Sequence, residues 1–155
     1  MLQYFHRKRG ARMHKILFVC HGNICRSPMA EFIMKDLVAK AGAAGRFEID
    51  SAAVSREEEG NSIYPPARRE LEKHGVAFTN RRARLITARD YAYFDRIYYM
   101  DSRNASYLRR LFPKDSGKCR PLLEREVADP WYYGNFDETW ADIYEGCRRI
   151  LEELL

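Results

Sequence analysis

The run Lys15-Ile16-Leu17-Phe18-Val19-Cys20 constrains the architecture of this chain more than any other stretch. It is short, almost wholly apolar and without alternation, the composition of a central parallel strand covered on both faces. It ends at a cysteine, and a helix start follows closely. Ser27 offers an N-cap, Pro28 suits the first helical position, and Ala30, Ile33, Met34, Leu37, Val38 and Ala41 recur at helical spacing as far as Gly42.

The same alternation continues along the chain. Phe47 to Val54 reads as a second strand, and Pro65 to His74 as a helix opened by proline and stopped at Gly75. Thr87 with Asp90 makes a capping-box start, Arg96 to Met100 a third buried strand, and Ser102 to Phe112 a helix. Cys119 to Leu123 reads as a fourth strand, and Trp140, Ile143, Tyr144, Cys147, Ile150, Leu151 and Leu154 as the stripe of a closing amphipathic helix. The expected fold is α/β: one domain with an open, parallel, four-stranded sheet, helices on both faces and a phosphate-binding loop after the first strand. At 155 residues the chain suits one domain with a core and a cleft. Ligands bind such sheets beyond the carboxyl ends of the strands, which directs attention to Cys20.

Several classes are disfavoured. The 27 basic residues are interleaved with 22 acidic ones, so the net charge of +5 reads as a solvated surface rather than a nucleic-acid footprint. A local basic cluster, His6, Arg7, Lys8, Arg9 and Arg12, lies in a leader over residues 1–13 that reads as a flexible tail. Met13, just ahead of the strand, offers an alternative start, and the domain proper is expected over residues 14–155. With neither a secretory signal nor a membrane-crossing run, the expected compartment is the cytoplasm and no membrane partner is expected. Cys20, Cys25, Cys119 and Cys147 show no zinc-site spacing, so neither metal nor cofactor is expected, and the thiols should be reduced.

The chemistry concentrates in Cys20-His21-Gly22-Asn23-Ile24-Cys25-Arg26-Ser27, with five residues between a cysteine and an arginine. A loop of this length closing onto a helix N-terminus can turn successive backbone N–H groups inward, forming an anion nest backed by the helix dipole. Gly22 permits the tight path, and Arg26 can offer its planar fork to two phosphate oxygens. The same positive field favours the thiolate of Cys20, and a thiolate beneath phosphorus is a nucleophile. Ser27 has two compatible jobs, capping the helix and hydrogen-bonding the Cys20 sulfur. Asn23 is expected to hold a left-handed backbone conformation within the loop.

On this motif the chain resembles the low-molecular-weight protein tyrosine phosphatases. The likeness runs from Lys15 onward and includes Ser-Pro-Met-Ala-Glu after the loop, Asp50-Ser51-Ala52, Tyr98-Tyr99-Met100-Asp101 and Asp129-Pro130-Trp131-Tyr132. The resemblance implies phosphotyrosine hydrolysis through a phosphocysteine on Cys20, with Arg26 as phosphate clamp and Asp129 as general acid, then base. It implies that Trp131 and Tyr132 wall a deep slot. It also implies that Cys25 can form a reversible disulfide with Cys20 that guards against irreversible oxidation. The expected partner is a phosphotyrosine protein or peptide, and the expected state a monomer or weak dimer.

Two segments depart from the family pattern. Arg56-Glu57-Glu58-Glu59 stands where the family carries an aromatic or aliphatic cleft wall, so Glu57 is expected to give the rim an acidic character favouring basic or small substrates, unless the segment is merely a solvated loop. The stretch Asn80 to Arg84 lacks the family's histidine that braces the loop asparagine, leaving Asn80 or Arg81 as substitute donors. Three other readings rank lower. Arsenate reduction would need further mid-chain cysteines, a phosphoarginine phosphatase would carry threonine in place of Ile24, and a non-catalytic phosphate binder would need neither Cys20 nor Asp129.

Overall fold

A computed structural model of the chain describes residues 12–155. The flexible leader expected over residues 1–13 therefore lies outside the described residues, apart from Arg12 and Met13.

Four parallel strands, β1 (His14–Cys20), β2 (Phe47–Ala53), β3 (Arg96–Tyr99) and β4 (Cys119–Pro121), form one sheet in the order β2-β1-β3-β4. The helices are α1 (Arg26–Lys40), α2 (Pro65–Lys73), α3 (Ala88–Tyr93), α4 (Ser102–Leu111), α5 (Pro130–Tyr133) and α6 (Phe136–Leu154), with a 3₁₀ turn at Ala44–Arg46. The expected fourth strand is shorter than read, ending at Pro121, which has no N–H to extend the ladder.

β1 is central and its side chains alternate between two cores. Ile16, Phe18 and Cys20 pack with Met29 and Ile33 of α1, Leu71 of α2, and Ile143 and Ile150 of α6. Leu17 and Val19 pack on the opposite face with Ile86, Phe94 and Leu108, the last from α4. All of Ile16 to Val19 is fully buried, which explains the unbroken apolar run. Each such side chain contributes about 1.5–3 kcal/mol. One close approach fixes α6 in place: a Cβ on Gly146 would lie 2.5 Å from Leu122 Cγ.

α1 begins two residues earlier than expected, at Arg26 rather than Pro28. Its N-cap is Cys25, which makes no side-chain capping bond, and Ser27 sits inside the first turn. The Ser27 hydroxyl is engaged by the loop instead of capping the helix, and its N–H points to Cys20 Sγ at 3.4 Å. The capping box at Thr87 and Asp90 is present as read.

Candidate active site

β1 delivers Cys20 to the carboxyl edge of the sheet, and the chain from His21 to Cys25 curls back to the start of α1. Asn23 adopts φ +61°, the only described non-glycine residue with positive φ. Its side chain compensates for that conformation: Nδ2 donates to Ser27 Oγ (2.7 Å) and Ser51 Oγ (3.1 Å), while Oδ1 accepts from Arg81 Nη2 (2.9 Å) and the Arg84 N–H (3.2 Å). Ser27 Oγ lies 3.1 Å from Cys20 Sγ. With the Ser27 N–H and the dipole of α1, the sulfur faces a set of donors.

Arg26 is the largest fully buried side chain among the described residues, 2% exposed. Its Nη1 donates to Asp101 Oδ2 and to the Val127 carbonyl, both at 2.7 Å, and its Nη2 reaches Asp129 Oδ2 at 3.4 Å. Burial alone would favour the neutral guanidinium, but Cys20, Asp129 and Asp101 more than offset it, and the Arg26 pKa is raised. Leaving one member of such a buried pair alone costs about 3–5 kcal/mol. Asp129 is the N-cap of α5: its Oδ1 accepts from the Trp131 N–H at 3.0 Å, Pro130 opens the helix, and Oδ2 is left to face Arg26.

Cys20, His21, Gly22, Ile24, Cys25, Arg26, Glu57, Glu58, Asp129, Trp131 and Tyr132 line one open cleft of about 250 Å3. Asn23, Ser27 and Arg81, also singled out in the sequence, stand behind it and brace the loop. Trp131 is half exposed and stacks at a tilt on Tyr64, with ring centroids 4.7 Å apart, while Tyr132 is largely exposed. Glu57 bonds His21 Nε2, tying the acidic segment to the loop, and Glu58 packs its stem over Gly22. Burial first, and then the facing Cys20, push the Cys25 thiol far above its ordinary value, so Cys25 is held protonated beside Cys20. Among the described residues no cluster of three His, Cys, Asp or Glu could hold a metal ion, and no helix is long and apolar enough to cross a membrane.

Three parts of the site were not read from the sequence: Asp101 as the partner of Arg26, the His21 contact to Glu57, and Tyr64 beneath Trp131. Asp101 carried a signal, because it directly follows a buried parallel strand, where sheet-edge functional groups sit. Arg81, named only as a substitute donor, is the one that braces Asn23.

Residues 15–155 match the family model described as low molecular weight phosphotyrosine protein phosphatase. The chain is 37% identical over 150 residues to the low molecular weight protein-tyrosine-phosphatase YfkJ of Bacillus subtilis, covering 92% of this chain and 96% of that one. A crystal structure of a low molecular weight protein tyrosine phosphatase from Streptococcus pyogenes superposes with a TM-score of 0.87 at 36% identity, covering 92% of this chain and 94% of the other. A structure named a drosophila arginine phosphatase superposes with a TM-score of 0.81 at 33% identity, covering 90% and 96%.

Proposed function

Because the chain belongs to the low molecular weight phosphotyrosine protein phosphatase family, we propose that it hydrolyses phosphotyrosine in proteins or peptides through a phosphocysteine intermediate. The observation that carries this reading is the convergence of Cys20, Arg26 and Asp129 on one cleft, with Arg26 bridging towards Asp129.

The phosphate dianion enters the loop of residues 20–27, where backbone N–H groups and the α1 terminus meet its charge. Arg26 already commits Nη1 to Asp101 and Val127, which fixes the plane of the fork and leaves its Nη2 edge towards the cleft. The Cys20 thiolate attacks phosphorus in line, the bond to the tyrosyl oxygen breaks, and Asp129 gives its proton to that oxygen. The Asp129 carboxylate then takes a proton from water attacking the phosphocysteine, releasing inorganic phosphate and restoring the thiolate. Donation from Ser27 Oγ favours the departing sulfur anion. Glu57, Trp131 and Tyr132 line the cleft, and the two rings offer stacking surface to an aryl ester that phosphoserine cannot use. Cys25 serves as the redox guard, lining the same cleft as Cys20. The enzyme would act in the cytoplasm as a monomer or weak dimer.

Ile24 carries no hydroxyl towards the cleft, which favours phosphotyrosine over phosphoarginine. Hydrolysis of p-nitrophenyl phosphate and a phosphotyrosine peptide, with phosphoserine and phosphoarginine peptides alongside, tests the assignment. Turnover of the aryl esters, abolished by Cys20→Ser, is expected. Turnover that survives Cys20→Ser would reject the mechanism.

A further inference from the structure

Arg81 lies behind the loop, outside the cleft, yet it makes more polar contacts than any other side chain near the site. Its Nη1 donates to Glu31 Oε1 (2.6 Å), Ser51 Oγ (2.8 Å) and Asp50 Oδ1 (3.0 Å). Its Nη2 donates to Asn23 Oδ1 (2.9 Å) and to the carbonyls of Ser51 and Arg82. Glu31 stands on α1, one turn beyond Ser27, and is itself buried, held by the Ser51 hydroxyl and Lys35.

A guanidinium can only donate. Asn23 must therefore turn its oxygen to Arg81 and the Arg84 N–H, and its Nδ2 must donate to Ser27 Oγ and Ser51 Oγ. Ser27 Oγ, having accepted from Asn23, has one proton left, and the atoms within its reach are Cys20 Sγ at 3.1 Å and the Ala52 carbonyl at 3.4 Å. Ser51 obeys the same rule: it accepts from Arg81 and Asn23 and gives its proton to Glu31. Two branches therefore run out from the cation: one through Asn23 and Ser27 towards the sulfur, the other through Ser51 to the Glu31 carboxylate.

We propose that Arg81 is a positioning residue that sets the sense of the hydrogen-bond chain Arg81 to Asn23 to Ser27 to Cys20, so that the Ser27 hydroxyl always donates to the sulfur anion. Arg81 touches neither substrate nor sulfur, and because a guanidinium keeps its protons at every accessible pH the direction never reverses. The proposal deepens the phosphatase reading by assigning the source of the nucleophile's stabilisation. It concerns the thiol alone and is testable without turnover.

The test is the rate of Cys20 alkylation by iodoacetate, read by peptide mass spectrometry as a function of pH, in a double-mutant cycle of Arg81→Met with Ser27→Ala. Arg81→Met should slow alkylation about tenfold at the acid end of the profile, where the thiol form predominates in both proteins, and should leave the rate unchanged at high pH where the sulfur is ionised regardless. In the Ser27→Ala background the same substitution should slow it less than about threefold, the residue of lost positive charge alone. Arg81→Lys keeps the charge and should restore most of the rate at the acid end. Equal slowing in both backgrounds, or a pH-independent loss accompanied only by a lower unfolding temperature, would reduce Arg81 to a structural brace and overturn the proposal. If Arg81→Met does not fold by circular dichroism, the neutral Arg81→Gln takes its place in the same cycle, and a slowing independent of Ser27 defeats the proposal. Failure of the wild-type chain to hydrolyse p-nitrophenyl phosphate would sink the phosphatase reading while leaving this cycle intact.

Discussion

Arg26 Nη2 lies 3.4 Å from Asp129 Oδ2, joining the loop after β1 to a carboxylate 103 residues further along the chain. The contact brings the proposed clamp and the proposed acid to one side of the cleft. It also holds Asp129 through a cation that cannot lose its proton.

Asp129→Asn keeps the N-cap geometry, since an amide oxygen can still accept from the Trp131 N–H. Turnover of phosphotyrosine peptide should fall about 10²- to 10³-fold, the usual contribution of a positioned acid. The loss should be much smaller for an aryl phosphate whose leaving group needs no proton. Steady-state kinetics on both esters check this, and equal losses would remove Asp129 from the acid role.

Burial pushes the thiols of Cys25 and Cys147 far above their ordinary range, so both stay protonated and poorly reactive at neutral pH. Iodoacetate at neutral pH should therefore label Cys20 and spare these two. Under mild peroxide, Cys20 is oxidised to the sulfenic acid and the Cys25 sulfur displaces water to form a disulfide, so dithiothreitol should restore most activity. Permanent loss under the same conditions would exclude the protective role.

The acidic cleft segment predicts a bias among substrates. Glu58 lines the cleft, and among the described residues its carboxylate accepts from the neutral Asn61 amide and meets no cation. Glu58→Gln should raise kcat/KM severalfold for phosphotyrosine peptides flanked by acidic residues and should leave the small ester p-nitrophenyl phosphate unchanged. An unchanged peptide preference would return residues 56–59 to the role of a solvated loop.

Burial alone would raise the Asp90 carboxyl, but Arg84 at 2.7 Å and the Thr87 N–H more than offset it, and its pKa is lowered. A depressed folded-state pKa contributes stability that is complete above the unfolded value of about 4 and is lost as pH falls through the lower folded value. Asp90→Asn should therefore cost about 1–2 kcal/mol at pH 7, including the weakened capping box, with the difference from wild type closing in acid. Urea unfolding at several pH values measures it.

Gly146→Ala places a methyl 2.5 Å from Leu122 Cγ and 2.7 Å from its Cδ1, in a buried contact between α6 and the segment after β4. Overpacking of this kind costs about 1–3 kcal/mol, despite alanine's better helix propensity. A lower urea midpoint with unchanged slope is the expected result.

The sequence by itself determined what depends on near neighbours. The unbroken apolar run made β1 a central strand, the five-residue spacing from Cys20 to Arg26 made the loop, and the left-handed preference of asparagine placed Asn23, because each rests on local periodicity or on conformations a few residues long. The helix start was misread by two positions, since Ser27 has a competing use in the cysteine sulfur that capping statistics do not contain. Only the tertiary structure decided which distant groups meet. The strand order β2-β1-β3-β4 sets the end of β3, with Asp101, beside the end of β1, and so pairs Arg26 with a carboxylate 75 residues away. The same packing drops Arg81 onto Asn23, 58 residues earlier, and Glu57 onto His21. No periodicity in the chain encodes such meetings, because they follow from how the layers stack and from the need of each buried charge to find a partner.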